Sequence, residues 1–255
     1  MIYKKRVGNS QTGTVILVHG QGEHSGRYET FIRMLANQGY AVEFFDWPGH
    51  GESSGKQGHT SIEEGVNIID SIVHKIDTKP FLLGHSMGGL TVIRYAQLYP
   101  KNIRGIIVSS PELAFDTRIP SIFHHISRFL NIFMPTKTTS NMIRPEELSR
   151  NKKIVKKYIQ NPLIHDRISL SLHQSIANNM NKAIQESSTL SCPILILIGT
   201  EDKIVPTEKT KEFYQNLAVK DKTLHEFEGA FHEVFDDPEW KESFNNAIMN
   251  WINNN

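Results

Sequence analysis

The residues best placed to do chemistry are Gly84-His85-Ser86-Met87-Gly88, followed at once by Gly89. A serine hydroxyl is a weak nucleophile at neutral pH, and it becomes reactive beside a general base that a carboxylate holds in the right tautomer. G-x-S-x-G marks a sharp strand-to-helix turn that lifts the serine clear of a sheet. Small residues are needed on either side because the turn is strained and neighbouring backbone packs against it. The apolar run Phe81-Leu82-Leu83 precedes the motif and helix-like spacing over 88–99 follows it. A glycine-rich turn carrying an idle serine is the alternative, and the strand before and helix after weigh against it.

Where a nucleophile sits on such a turn, the carboxylate and the base follow it in that chain order, at the carboxyl ends of later strands. The apolar run 194–198 leads into Gly199-Thr-Glu-Asp-Lys-Ile-Val-Pro206, which puts Asp202 in the loop leaving the sheet, with Glu201 as its rival. The next strand leads into Glu228-Gly-Ala-Phe-His232, which makes His232 the expected general base. His225 is the nearest competitor but lies inside that strand. The chain has 12 histidines, so one alone means little, and place in the order singles out His232. Two backbone donors are needed for the oxyanion of a tetrahedral intermediate. The N–H of Met87 is one; the other is assigned to Gln21, in the loop His19-Gly-Gln-Gly22 after the run 15–18. His19 itself reads as a loop brace. No cofactor or metal is implied, because no histidine or cysteine spacing on a predicted helix suits a metal ion.

The elements that must position these residues alternate between strand-like and helix-like segments, the pattern of a mostly parallel sheet flanked by helices. Strands are expected at 2–7, 13–19, 40–46, 80–84, 104–109, 193–199 and 222–227, and helices at 28–38, 62–76, 88–99 and 243–251. From 112 to 186 the strand-like runs stop and Pro120, Pro135, Pro145 and Pro162 punctuate the chain. The expected organisation is an α/β-hydrolase fold with its core in 1–111 and 187–255 and an inserted helical cap, or lid, in 112–186. Within the cap, Ile122, Ile126, Phe129, Leu130 and Phe133 fall at helical spacing. Packing of the cap on the core accounts for most of that stripe, and a surface that also meets lipid is the alternative. The basic run at 150–157 reads as a solvated helix face.

Composition limits the function. With 255 residues, one large α/β domain with an insertion is expected. The balance of 28 basic and 27 acidic residues argues against a nucleic-acid partner. The opening MIYKKRV is not followed by an apolar stretch, and no apolar run approaches a membrane span, so the expectation is a cytoplasmic protein with peripheral membrane contact as the extension of that reading. The single cysteine, Cys192, excludes an intrachain disulfide and reads as a small buried residue.

Three runs carry a resemblance: His19-Gly-Gln-Gly-Glu-His-Ser-Gly-Arg-Tyr28, Asp46-Trp-Pro-Gly-His-Gly-Glu-Ser53 and Gly84-His-Ser-Met-Gly-Gly89. Together with Leu148-Ser-Arg-Asn-Lys152, Asn161-Pro-Leu163 and Glu228-Gly-Ala-Phe-His232, they resemble the monoacylglycerol lipases and related lysophospholipases over nearly the whole chain. The resemblance implies a triad at Ser86, Asp202 and His232, oxyanion donors at Gln21 and Met87, and a lipid-facing cap over an acyl-binding tunnel, with membrane contact through Ile122, Ile126, Phe129 and Phe133. Gln21 stands where a small residue is common in that family. The implied activity is hydrolysis of the ester of a monoacylglycerol or lysophospholipid, a small lipid ester, through an acyl-enzyme. A general short-chain carboxylesterase is the enzymatic rival, and a catalytically silent binding protein on the same fold the non-enzymatic one.

Overall fold

The structure, a computed structural model, describes residues 1–255 with the exception of the Ser121 side chain. Seven strands form one sheet: β1 (Lys4–Val7), β2 (Gly13–Val18), β3 (Tyr40–Phe45), β4 (Phe81–His85), β5 (Gly105–Ser109), β8 (Ile194–Gly199) and β9 (Lys222–Phe227). Their order is β1-β3-β2-β4-β5-β8-β9. Only β1 runs antiparallel to its neighbour; every other pairing is parallel. This is the mostly parallel sheet flanked by helices read from the alternation of segments, and all seven strands stand where the sequence places them.

The sheet is buried on both faces because its strands are apolar at successive positions, not at alternate ones. Period-two geometry then sends neighbours to opposite layers. Leu82, Ile106 and Ile196 pack with α2 (Ile62–Val73) and α3 (Met87–Leu98) on one face. Phe81, Leu83, Ile107 and Leu195 pack with α1 (Glu29–Asn37) and α8 (Lys241–Asn254) on the other. The strands in the middle of the sheet are almost entirely shielded from water, so their loops emerge from a rigid base.

The 112–186 segment contains α4 (Ser121–Asn131), α5 (Lys152–Gln160) and α6 (Leu170–Gln185). It also holds two three-residue strands, β6 (Thr138–Ser140) and β7 (Arg167–Ser169), paired antiparallel. The sequence reading has no strand here, since three residues are too few to show a period-two pattern. Helix α6 buries Leu172, Ile176, Met180 and Ala183 in the same apolar cluster as α3, so this end of the segment is part of the layer that covers the sheet. Helix α4 differs from the expectation of packing on the core: Ile122 is 57 % exposed, Phe129 62 % and Phe133 69 %. Helix α7 (Thr207–Asn216) is absent from the sequence reading because only Thr210 and Phe213 along it are buried, too few for a periodic apolar face.

Parallel strands deliver their carboxyl ends to one edge of the sheet, and the loops after β2, β4, β8 and β9 carry Gln21, Ser86, Asp202 and His232 respectively. Four segments far apart in sequence therefore converge where the sheet meets the 112–186 segment.

Candidate active site

Ser86 lies between β4 and α3 with φ 53° and ψ −118°, a backbone conformation that non-glycine residues rarely adopt. Its N–H donates to the carbonyl of Ser109 on the neighbouring strand (2.9 Å), and its own carbonyl accepts from Leu90 and Glu112 (3.0 Å each), so the strain is held from both sides. The turn is as tight as the motif requires. A Cβ on Gly84 would stand 2.3 Å from the carbonyl oxygen of Gly88, and one on Gly88 only 2.1 Å from that of Val18.

Asp202 and His232 are brought together: Nδ1 of His232 donates to Oδ2 of Asp202 at 2.7 Å, with both side chains almost fully buried. The other carboxylate oxygen accepts from the N–H groups of Ile204 (2.8 Å) and Val205 (3.0 Å), which fixes its direction. With Nδ1 engaged, Nε2 is the nitrogen left for a substrate or nucleophile. His232 and Ser86 line the same small cavity. Their side chains are not hydrogen-bonded to each other, and among the described residues the only side-chain bond of His232 is the one to Asp202. Burial, the largest influence on His232, lowers its pKa, but the Asp202 carboxylate and its hydrogen bond outweigh burial and leave it raised above 6.5. His85 packs on His232 with ring centroids 4.8 Å apart, and burial together with the His232 charge holds it well below 6.5, in its neutral form. The rivals are placed elsewhere: Glu201 and His225 are both exposed.

Met87 is the first residue of α3, so its N–H has no partner within the helix. Gln21 lines the cavity at Ser86, and its N–H meets no protein acceptor among the described residues. The loop that carries it is fastened by side chains that the sequence reading leaves unassigned. Glu23 accepts from the N–H of Gly20 (2.6 Å), from Tyr28 Oη (2.7 Å) and from Arg27 (2.5 Å). Arg27 in turn makes two bonds of 2.7 Å to Glu233, the residue after His232. The Gly-Glu-His-Ser-Gly-Arg-Tyr run is the signal for this clamp, although nothing in it reveals that Arg27 reaches across to Glu233. His19 braces the loop as expected: its Nδ1 bonds the Gly20 carbonyl (2.8 Å), and its Nε2 accepts from the Trp47 N–H (3.2 Å). Asp46 completes the fastening by accepting from the N–H (2.8 Å) and hydroxyl (2.6 Å) of Ser25. Cys192 is buried in the apolar cluster that also holds α3, and burial pushes its thiol up to about 12.

Two cavities of different character lie near Ser86. One small cavity lies under Glu23, Arg27, Tyr158 and Glu233. In the other direction an apolar cavity of about 270 Å³ runs between Phe115, Phe123, Ile126, Leu130 and Ile168.

A family model described as serine aminopeptidase S33 matches residues 9–239. A crystal structure of the monoacylglycerol lipase of Paleococcus ferrophilus superposes with a TM-score of 0.97 at 49% identity, covering 99% of this chain and 98% of that one. The monoglyceride lipase of Homo sapiens is 30% identical over 94% of this chain and 84% of its own length. The chain belongs to the monoacylglycerol lipase-like family of α/β-hydrolases. The phospholipase YtpA of Bacillus subtilis is a further relative, 29% identical over 91% of this chain and 92% of its own. In this member of the family the buried clamp is more than a surface ion pair, because both carboxylates and the guanidinium are withdrawn from water. Burial raises Glu23, but the Arg27 guanidinium, foremost among the opposing influences, brings it from an ordinary 4.5 down to about 2. Its pairing therefore supports the fold fully above about 4.5 and is lost as pH falls toward 2. Burial pushes Glu233 up despite the same guanidinium.

Replacing Arg27 with Met should destabilise the protein by about 3–5 kcal/mol at pH 7, since it leaves two carboxyl groups buried without their cation. Urea unfolding of Arg27→Met against the parent measures this. A change under about 1 kcal/mol would mean that the cluster does not hold the loops.

Proposed function

We propose that this protein hydrolyses monoacylglycerols to a fatty acid and glycerol, with Ser86 as nucleophile, His232 as general base and Asp202 orienting the histidine. The observation that carries the reading is that Ser86 borders a small cavity walled by Glu23, Arg27 and Glu233, while the space before it shares Gln21 and Glu112 with a mostly apolar cavity of about 270 Å³, an arrangement that suits an ester joining a small polyol to a single acyl chain. In the first step His232 Nε2 takes the Ser86 proton as Oγ attacks the carbonyl, and the N–H groups of Gln21 and Met87 receive the oxyanion. Collapse of the tetrahedral intermediate sends the proton from His232 to the departing glycerol oxygen. Water, activated by the same histidine, then releases the fatty acid from the acyl-enzyme.

Glycerol suits the polar side better than a phospho headgroup. The cation there, Arg27, is already bonded to Glu23 and Glu233, so an incoming phosphate would meet carboxylates without a free positive partner. The 112–186 segment acts as the cap in this reading. Helix α4 serves two roles: Phe123, Ile126 and Leu130 border the apolar cavity while remaining partly open to solvent, and Ile122 and Phe129, with Ile132 and Phe133 just after the helix, are more exposed still. An exposed apolar face of this kind marks a contact surface, and here it favours peripheral docking on lipid where the substrate resides. No described helix is long and apolar enough to cross a membrane.

Fatty-acid release from a long-chain monoacylglycerol should proceed with wild type and cease with Ser86→Ala, and the matching lysophosphatidylcholine should be cleaved about tenfold more slowly or less. Cleavage of short soluble esters alone would replace the lipase reading with that of a short-chain esterase. The kcat/KM of the free enzyme should fall as pH drops through the His232 pKa, on the alkaline side of 6.5, because a protonated imidazole takes no proton. In Asp202→Asn burial acts on His232 without its main opponent, so that limb should move to lower pH while kcat drops about 10⁴-fold. An unmoved limb would deny Asp202 its role. Phe129→Glu with Phe133→Glu should reduce co-sedimentation with phosphatidylcholine vesicles severalfold and leave turnover of a short soluble ester intact. Undiminished sedimentation would move the docking surface elsewhere.

A further inference from the structure

The hydrolytic reading leaves two buried polar atoms idle beside the nucleophile. Nε2 of Gln21 and Oε2 of Glu112 are sealed from solvent, and neither has a hydrogen-bond partner among the described residues. The Gln21 residue as a whole is only 8 % exposed. Both side chains line the cavity at Ser86, and both also line the apolar cavity of about 270 Å³. They therefore stand at the junction an acyl chain must cross. Gln21 also borders the small polar cavity under Arg27, but Glu112 does not, which places the carboxyl on the acyl side of the ester.

Glu112 is tied to the nucleophile through the backbone, its N–H donating to the Ser86 carbonyl at 3.0 Å, so its position follows that of the elbow. The cation on this wall, Arg118, is bonded to Asp116 and Glu147, which leaves Glu112 without a guanidinium partner. Burial accordingly pushes the Glu112 carboxyl up to about 7. A plain hydrocarbon chain crossing here would cover an amide donor and a carboxyl oxygen and satisfy neither. A hydroxyl, which donates one hydrogen bond and accepts others, has the donor and acceptor character that this amide and this carboxyl lack partners for. Sites with buried polar groups of this kind discriminate strongly against substrates that leave them unpaired.

We propose that Gln21 and Glu112 form a selectivity collar that receives a hydroxyl group borne by the acyl chain on one of its first carbons beyond the scissile carbonyl, so that hydroxyacyl esters are preferred substrates. The proposal rests on the ester-hydrolase reading above. The collar is a property of this chain's own residues: an unpartnered carboxyl on the wall of a mostly apolar passage, and an unpartnered amide from the loop after β2 on the same wall.

The test compares kcat/KM for 1-decanoylglycerol and its 2-hydroxydecanoyl and 3-hydroxydecanoyl counterparts, with the corresponding methyl esters alongside. Wild type should favour one of the hydroxylated chains by about tenfold or more, with glycerol or methanol as the leaving alcohol. Glu112→Leu should lose that preference and gain on the plain decanoyl ester, whereas Glu112→Gln, which keeps a hydrogen-bonding oxygen, should retain it. Gln21→Ala should weaken the preference independently. Equal or better turnover of the plain chain by wild type would overturn the proposal, as would a preference that survives Glu112→Leu or one that vanishes with the methyl esters, which would assign the hydroxyl to the alcohol. Failure of the underlying reading is a different result: decanoylglycerol turnover that persists in Ser86→Ala.

Discussion

The steric constraint at the turn between β4 and α3 governs the arrangement of this molecule. Ser86 can hold its strained backbone only if the chain before and after it passes within contact of other backbone, and Gly84 and Gly88 are the residues that permit this. The surrounding sheet supplies the restoring force. Its middle strands are buried on both faces, and bonds from Ser86 to the strand and loop beside it leave no room for relaxation. Strain of about 1–3 kcal/mol at one residue is tolerable when so much of the core must move to relieve it. The same turn starts α3 at Met87, so the candidate nucleophile and the candidate oxyanion donor are set by one piece of backbone geometry.

The buried Glu23, Arg27 and Glu233 cluster solves a second problem, which is to keep two loops from different strands in register. One loop carries Gln21 and the other His232, and the guanidinium bridges them with charge-assisted bonds at short range. Two carboxyl groups around one cation make an arrangement that depends on every member. This concentration of buried charge also leaves Arg27 fully engaged, the feature on which the proposed preference for glycerol over a phospho headgroup rests.

Helix α4 joins chemistry to location. One helix cannot bury its whole apolar circumference against a cavity wall, so Phe123, Ile126 and Leu130 border the apolar cavity while Ile122 and Phe129 on the same helix stand open to solvent. The outward side has no protein to cover it among the described residues, and the inward side borders the place where an acyl chain would lie. In the proposed function, the surface offered to lipid and the wall of the acyl passage would thus belong to the same element.

Much of this was legible in the amino-acid sequence. The seven strands appear because fully buried parallel strands are short uninterrupted apolar runs, and the order of Ser86, Asp202 and His232 follows from which loops end those runs. The sequence reading could not foresee the short cap strands, whose three residues carry no period, or helix α7, whose buried face is too sparse. It also treated the α4 stripe chiefly as core packing, since periodicity records that a face is apolar and not what it faces. Local sequence determined the strained elbow, the strand positions and the chain order of the candidate triad, because these depend on residue types a few positions apart. Tertiary structure alone decided that Arg27 meets Glu233, 206 positions away, and that Gln21 and Glu112 converge unpartnered beside Ser86. Such pairings depend on how loops from separate strands are brought to one edge of the sheet, and no local pattern encodes that distance.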